Sequence, residues 1–210
     1  MRPRIWIALL MTAAAAFAQG WETGAAAGVG FSRPSTVTGP SGNADAGLAA
    51  APAFGFYLGQ DVSAHWGGEI RYTFRPGDLR VRSAGTEVTF GGQSHLVHYD
   101  LLVHGTSPRS RIRPFLAAGA GARLTRGTGQ EFSYQPLMQH ALLTRTRQVQ
   151  PVASLGAGIK VKLGKKLLLR AEFREYVSPF PSQVIAPADG AKIDGWLHDL
   201  VPLIGVGWMF

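Results

Sequence analysis

The sequence predicts an all-β chain, an eight-stranded antiparallel up-and-down transmembrane β-barrel. Three observations carry that expectation. Hydrophobic residues recur at every second position through eight segments, the connections between the segments alternate between short and long, and the chain is poor in charge. Charged residues make up 16% of the 210 residues, against roughly 25% in soluble domains. The chain also holds 27 Gly and no Cys, which excludes disulfide scaffolds, thiolate metal sites and cysteine nucleophiles.

The first residues are set apart from the rest. Met1-Arg2-Pro3-Arg4 precedes an apolar run over residues 5–15 and then Ala16-Phe17-Ala18. A charged start, a short apolar stretch and a small-residue site describe an export signal, and crossing a bilayer as a helix takes ~20 apolar residues, more than this run supplies. Cleavage is expected after Ala18, making residues 1–18 the signal peptide and 19–210, beginning at Gln19, the barrel domain. Loss of Arg2 and Arg4 lowers the formal net charge from +8 to +6, so the exported chain stays basic. Residues 117–122 alternate Ala and Gly, and residues 163–169 are broken by Lys165 and Lys166, so neither stretch suits a spanning helix. The exported chain is either soluble or enters a membrane by another route.

The segments themselves have a period of two. Trp66, Gly68, Ile70, Tyr72 and Phe74 alternate with Gly67, Glu69, Arg71, Thr73 and Arg75, and Val97, Tyr99, Leu101 and Val103 alternate with His98, Asp100, Leu102 and His104. Successive strand side chains point to opposite faces, so each segment has one oily and one polar side. The eight segments span 21–32, 49–58, 66–75, 95–105, 112–124, 149–162, 167–176 and 199–210, close to the ~9–11 residues of a tilted membrane strand. The stretches 33–48, 76–94, 125–148 and 177–198 are long, whereas Gly59-Gln60-Asp61 and Leu163-Gly164-Lys165-Lys166 read as tight turns. Outer membrane barrels have short turns on the periplasmic side and long connections outside. Two hairpins look equivalent, because Gly55 precedes Glu69 by the same interval as Gly158 precedes Glu172.

Periodicity alone does not say which face is buried. In a soluble sheet the oily face packs inward; in a membrane barrel it meets lipid. Trp66, Phe74, Trp208 and Phe210 lie near strand ends, as an interfacial girdle requires, and the polar faces carry charges of both signs. The alternative is an ordinary solvated face. The preferred one is a lumenal polar network of Glu69, Arg71, His98, Asp100, His104, Arg170, Glu172 and Arg174 that plugs the barrel, since an eight-stranded barrel is about wide enough for its own side chains. Glu and Arg are then expected to alternate as partners, with the surplus Arg in water at the rims.

The final residues, with Phe210, Trp208, Val206 and Ile204 on one face, resemble the C-terminal signal by which outer membrane proteins are recognised by the barrel-assembly machinery. Glu69-x-Arg71-Tyr72, the run from Pro114 through Phe115 to Gly121, and Arg170-Ala171-Glu172-Phe173-Arg174 are similar to strands of the small outer membrane β-barrel family related to the OmpA transmembrane domain. The resemblance implies a monomeric barrel in the cell outer membrane of a diderm bacterium, with outer membrane lipids and lipopolysaccharide as partners. It departs in that the chain stops at Phe210 with no periplasmic domain following, and in that Pro202 sits inside the last strand, where a local bulge is expected.

No residue announces catalysis. His95 and His98 fall on opposite faces; His98, Asp100 and His104 share one, as a hydrogen-bonded cluster or as polar filling. Ser94, Ser133 and Ser154 lack a nucleophile-elbow signature. Gly119-Ala120-Gly121 and Gly156-Ala157-Gly158 sit in strands with no helix following, so no nucleotide or other cofactor is called for. Arg80, Arg82, Arg123, Arg126, Arg145 and Arg147 in or beside the long connections suit lipopolysaccharide phosphates; nucleic acid is no partner of an exported chain. Pro108-Arg109-Ser110-Arg111 has no assigned role. The expectation is a structural or surface-interaction protein of the envelope with mobile outer loops. A narrow solute pore is the alternative, and a lipid-modifying enzyme a more distant one.

Overall fold

The computed structural model describes residues 20–210; the expected export signal and Gln19 lie outside the described residues. The described chain is built from strands: β1 (Trp21–Arg33), β2 (Ser35–Gly39), β3 (Gly42–Leu48), β4 (Ala51–Asp61) and β5 (Trp66–Pro76). Next come β6 (Leu79–Ser83), β7 (Thr86–Phe90), β8 (Gly92–His104), β9 (Ile112–Gly127) and β10 (Ala141–Leu143). The chain ends with β11 (Arg147–Lys162), β12 (Leu167–Pro179), β13 (Ile185–Pro187), β14 (Lys192–Asp194) and β15 (Trp196–Met209).

Eight of these strands close a barrel in the order β1-β15-β12-β11-β9-β8-β5-β4, every neighbouring pair antiparallel. The start of β1 and the end of β15 meet at one rim, where Phe210 N donates to Trp21 O at 3.0 Å and Trp21 N returns to Phe210 O at 3.3 Å. The turns at 62–65, 105–111 and 163–166 lie on that rim, and the stretches 34–50, 77–91, 128–146 and 180–195 all lie on the other. The eight predicted segments are therefore the eight barrel strands, several running further toward the long-connection rim than the periodicity alone indicated.

The polarity is inside-out. Phe56, Leu116 and Ile204 are 61%, 62% and 66% exposed on the outer wall, while Arg71, Arg123, Arg170 and Arg174 are at most 1% exposed. Such an arrangement is stable only with hydrocarbon against the outer wall. Glycines on the lumenal face make room for the charged side chains. A Cβ on Gly156 would lie 2.5 Å from Arg174 Cδ, and one on Gly119 would lie 2.3 Å from the Asp100 carboxylate.

Three local expectations are corrected. Gly59, Gln60 and Asp61 belong to β4, and the turn follows at 62–65, because Val62 N and Ser63 N both donate to Trp66 O, at 2.9 and 3.0 Å. The two hairpins are not equivalent: Gly158 pairs with Glu172, whereas Gly55 pairs with Thr73 and Glu69 with Gly59. At Pro202 there is no bulge. The β1–β15 register holds on both sides, at Gly28↔Leu203 and Phe31↔Leu200, and only the pairs between them are missing. A proline cannot donate to the ladder, so the seam loses bonds without gaining a residue; on its other side Pro202 still pairs with Phe173 of β12.

The long connections are not free loops. They fold into a five-stranded sheet, β14-β2-β3-β6-β7, and a two-stranded one, β10-β13. Ala84 and Gly85, with φ of 49° and 82°, close the β6–β7 hairpin, as a two-residue turn with both central residues left-handed does. Val37, Leu79, Val184, Ile185 and Leu197 are fully buried in one hydrophobic cluster with Leu143 and Phe180. Each connection supplies part of this core, so the stretches expected to be mobile outer loops instead form one packed cap over the barrel mouth.

Candidate functional site

The lumen is filled by three tiers of paired charge. The central tier joins strands that stand diametrically opposite in the ring, β5 and β12. Period-two alternation puts Glu69 and Arg71 on the inner face of β5, and Arg170, Glu172 and Arg174 on that of β12. Arg71 donates to Glu69 on its own strand at 2.8 Å and reaches Glu172 across the lumen at 2.8 Å. Arg170 bridges Glu69 at 2.5 Å and Glu172 at 3.0 Å. Arg174 bridges Glu69 at 3.2 Å and Glu172 at 2.9 Å, and also meets Asp100 of β8. Three guanidiniums thus face three carboxylates, and the side chains of all six have no exposed area. Two aromatic rings flank the hub: the Arg170 guanidinium carbon lies 4.5 Å from the centroids of both Tyr57 and Phe115, within cation–π range.

Above the hub, toward the cap, Arg75 and Arg123 share Asp199 at 2.8 and 2.5 Å. Arg75 also donates to Ser32 Oγ at 3.1 Å and to the carbonyls of Gly30 and Ala49 at 3.0 and 2.7 Å, tying β5 to β1 and to the β3–β4 connection. Below the hub, at the short-turn rim, Lys160 pairs with Glu22 and Arg113 with Asp61, both at 2.6 Å. Each buried cation has a carboxylate partner, which is what makes such burial tolerable.

Glu69, Arg71, Asp100, Arg170, Glu172 and Arg174 meet directly, and His98 Nδ1 contacts Asp100 Oδ1 at 3.1 Å. His104 shares their face and is buried, yet neither ring nitrogen has a hydrogen-bond partner and it packs near Phe115. Four residues along a strand amount to ~13 Å, which carries His104 away from Asp100 toward the short-turn rim. Arg123, assigned from sequence to the outer phosphate-binding set, faces the lumen with no exposure and is held by Asp199 and by Ser178 Oγ at 3.1 Å.

Glu22, Arg75, Arg113, Lys160 and Asp199 complete the plug with Arg123, and these five were not singled out beforehand. Alternation along their strands was the available signal, but it needed the register of neighbouring strands to show which charges meet.

The other candidates are dispersed. Among the described residues no group of three or more His, Asp or Glu side chains is placed to hold a metal ion. His95 faces outward, its Nδ1 2.7 Å from the Tyr72 hydroxyl. Ser154 is buried 3.4 Å from an Arg174 nitrogen, Ser94 is buried, and Ser133 is exposed in the cap. Arg80 lies 3.9 Å from Glu87, and Arg82 pairs across the ladder with Glu87 and Asp45. Arg126 and Arg147 are exposed and directly opposite one another on β9 and β11, facing outward, and Arg145 is exposed beside them. Ile204, Val206, Trp208 and Phe210 all project from the outer wall and are 47–66% exposed.

A closed eight-stranded barrel with an oily wall, a charge-filled lumen and long connections on one rim defines a small outer-membrane-type β-barrel protein. The chain matches the model of the outer membrane protein beta-barrel domain over residues 5–210, and it belongs to that family, which places it in a bacterial outer membrane. Among solved structures it resembles neisserial surface protein A, with 11% identity, 91% of this chain and 97% of that chain covered and a TM-score of 0.56. It also resembles the outer membrane protein OprG from Pseudomonas aeruginosa, with 12% identity, 91% and 97% coverage and a TM-score of 0.57. At these identities the likeness is one of fold. No curated protein sequence matches the chain.

Proposed function

We propose that this chain is a non-conducting structural and surface-interaction protein of the outer membrane, a plugged barrel that holds a folded cap above the outer leaflet. The observation that carries this reading is the central hub. Three arginines and three carboxylates, all without exposed side-chain area, join opposite walls of the lumen. Opening a path through it would strand buried charges, at a cost of several kcal/mol per ion. The packed core of the cap supports the second half of the reading, since it presents fixed surfaces outside.

In this reading the export signal delivers the chain to the periplasm of a diderm bacterium, and the assembly machinery inserts it as a monomer through the aromatic-ended last strand. Lipopolysaccharide is its outer-leaflet neighbour. Arg126 and Arg147, like charges directly opposite on the outer wall with no carboxylate paired to either among the described residues, are the residues suited to its phosphates, since guanidinium forks match phosphate geometry.

Planar-bilayer recording of the refolded protein tests the plug. The expected trace has no steady conductance. Steady conductance lost on Arg71→Ala or Arg174→Ala would instead establish a narrow pore. Mass analysis of lipid A from cells with and without the protein separately tests the enzyme alternative, which predicts a changed acyl pattern.

A further inference from the structure

Two of the three turns at the short-turn rim carry concentrated positive charge. The β8–β9 connection reads Thr106-Ser107-Pro108-Arg109-Ser110-Arg111, and the β11–β12 connection, from the last residue of β11, reads Lys162-Leu163-Gly164-Lys165-Lys166. Neither contains a carboxylate. The turns are adjacent because β9 and β11 pair, with Val161 opposite Ile112. Lys162 N donates to Arg111 O at 2.9 Å, and its ammonium donates to Pro108 O, so the two turns are joined. Arg109, Arg111, Lys165 and Lys166 are exposed, and none forms an ion pair among the described residues. The third turn, residues 62–65 after Asp61, has no Lys or Arg, so the charge occupies one sector of the rim.

The lumen does not neutralise this sector. The nearest inward cations, Arg113 and Lys160, are already paired with Asp61 and Glu22, and these carboxylates are occupied by them. Four uncompensated cations so close together repel one another and call for anions from outside the chain.

What surrounds the sector selects the anion. Leu163, between the cationic residues, is 56% exposed; Ile112, which follows Arg111, is 57% exposed; Trp208 and Phe210 beside them are 47% and 64% exposed. The Lys166 ammonium lies 5.8 Å from the centroid of the Trp208 ring. The cations therefore rise directly from the edge of the lipid-facing band, where an apolar stem rests in hydrocarbon and the charged head reaches the phosphate level. A soluble or cell-wall polyanion would have no use for that continuity with the oily wall.

We infer that Arg109, Arg111, Lys165 and Lys166 form a binding sector for anionic phospholipid headgroups in the leaflet on the short-turn side, the periplasmic leaflet for this class of barrel. The sector anchors the barrel at its lower rim, through contacts independent of the plug and of the cap.

The test uses the full folded chain in mixed micelles with equimolar phosphatidylglycerol and phosphatidylethanolamine, reading retained lipid by native mass spectrometry. The wild type is expected to retain phosphatidylglycerol preferentially. The variant Arg109→Gln/Arg111→Gln/Lys165→Gln/Lys166→Gln is expected to lose that preference by about tenfold or more, since each cation near an anionic surface adds to binding. Lys192→Gln, an exposed cation in the cap at the opposite rim, is expected to keep it. Folding of each variant is checked by its shift in gel migration on heating. Should the fourfold variant not fold, Lys165→Gln/Lys166→Gln carries the same test with a smaller loss. No preference in the wild type, an unchanged preference in the variant, or displacement of phosphatidylglycerol by soluble peptidoglycan fragments would each overturn the inference.

Discussion

Arg170 and Glu69 sit on strands at opposite ends of a barrel diameter, 101 residues apart in sequence, and bond at 2.5 Å across the lumen. Glu69 also accepts from Arg71 and Arg174, so one carboxylate anchors three guanidiniums. Glu172 meets the same three, so removal of either carboxylate is expected to be among the most damaging single changes in the plug. Glu69→Gln should lower stability by about 3–5 kcal/mol, the range for breaking a buried pair. Asp100→Asn, which deprives only Arg174 and His98, should cost less. The midpoint of heat-modifiable gel migration ranks the two, and a Glu69 variant as stable as the wild type would remove the hub from the account of the fold.

The cap is expected to unfold separately from the barrel. Leu79 is fully buried in the cap cluster and lies outside the barrel ring. Leu79→Asp places an unpaired charge there, which the cap cannot accommodate. Trypsin added to the folded variant should cut after Arg80 or Arg82, while the barrel core still migrates as the heat-modifiable form. The wild type should resist at both positions; simultaneous loss of barrel and cap would show that they form a single cooperative unit.

Arg126→Gln/Arg147→Gln is expected to act in opposite directions in two environments. Like charges directly opposite on a sheet destabilise it, and cross-strand pairs are worth roughly 0.2–1 kcal/mol. In lipid-free detergent the double variant should therefore be slightly more stable than the wild type. Lipopolysaccharide carried through purification should fall severalfold in the variant, and that of the wild type should fall with added salt because screening weakens exposed charge contacts.

The last strand carries a prediction about biogenesis. Phe210 is 64% exposed and lies outside the lumen, so Phe210→Ala leaves the plug intact. Spontaneous refolding into micelles should proceed, whereas the folded fraction recovered from outer membranes of expressing cells should drop severalfold. Equal recovery from cells would deny the C-terminal residues a role in recognition by the assembly machinery.

Much of this was legible along the chain. Tyr72 and Arg71 announce opposite faces by position alone, and each of the eight segments is a barrel strand. His104 shows the limit of that logic. It has the right face and the wrong height, and height is set by register. The short cap strands were illegible for a related reason. β13 and β14 contain three residues each, too few for a period to show, and they pair with β10 and β2 from distant connections.

Strand length, strand faces and the alternation of turn lengths are local properties, written in residues within about ten positions of each other, so the amino-acid order by itself determined an inside-out barrel. Which charges neutralise which is not local. Closing the ring brought β5 opposite β12, and only that closure decided that Glu69 would meet Arg170, that Arg123 would find Asp199, and that four separate connections would share one hydrophobic core.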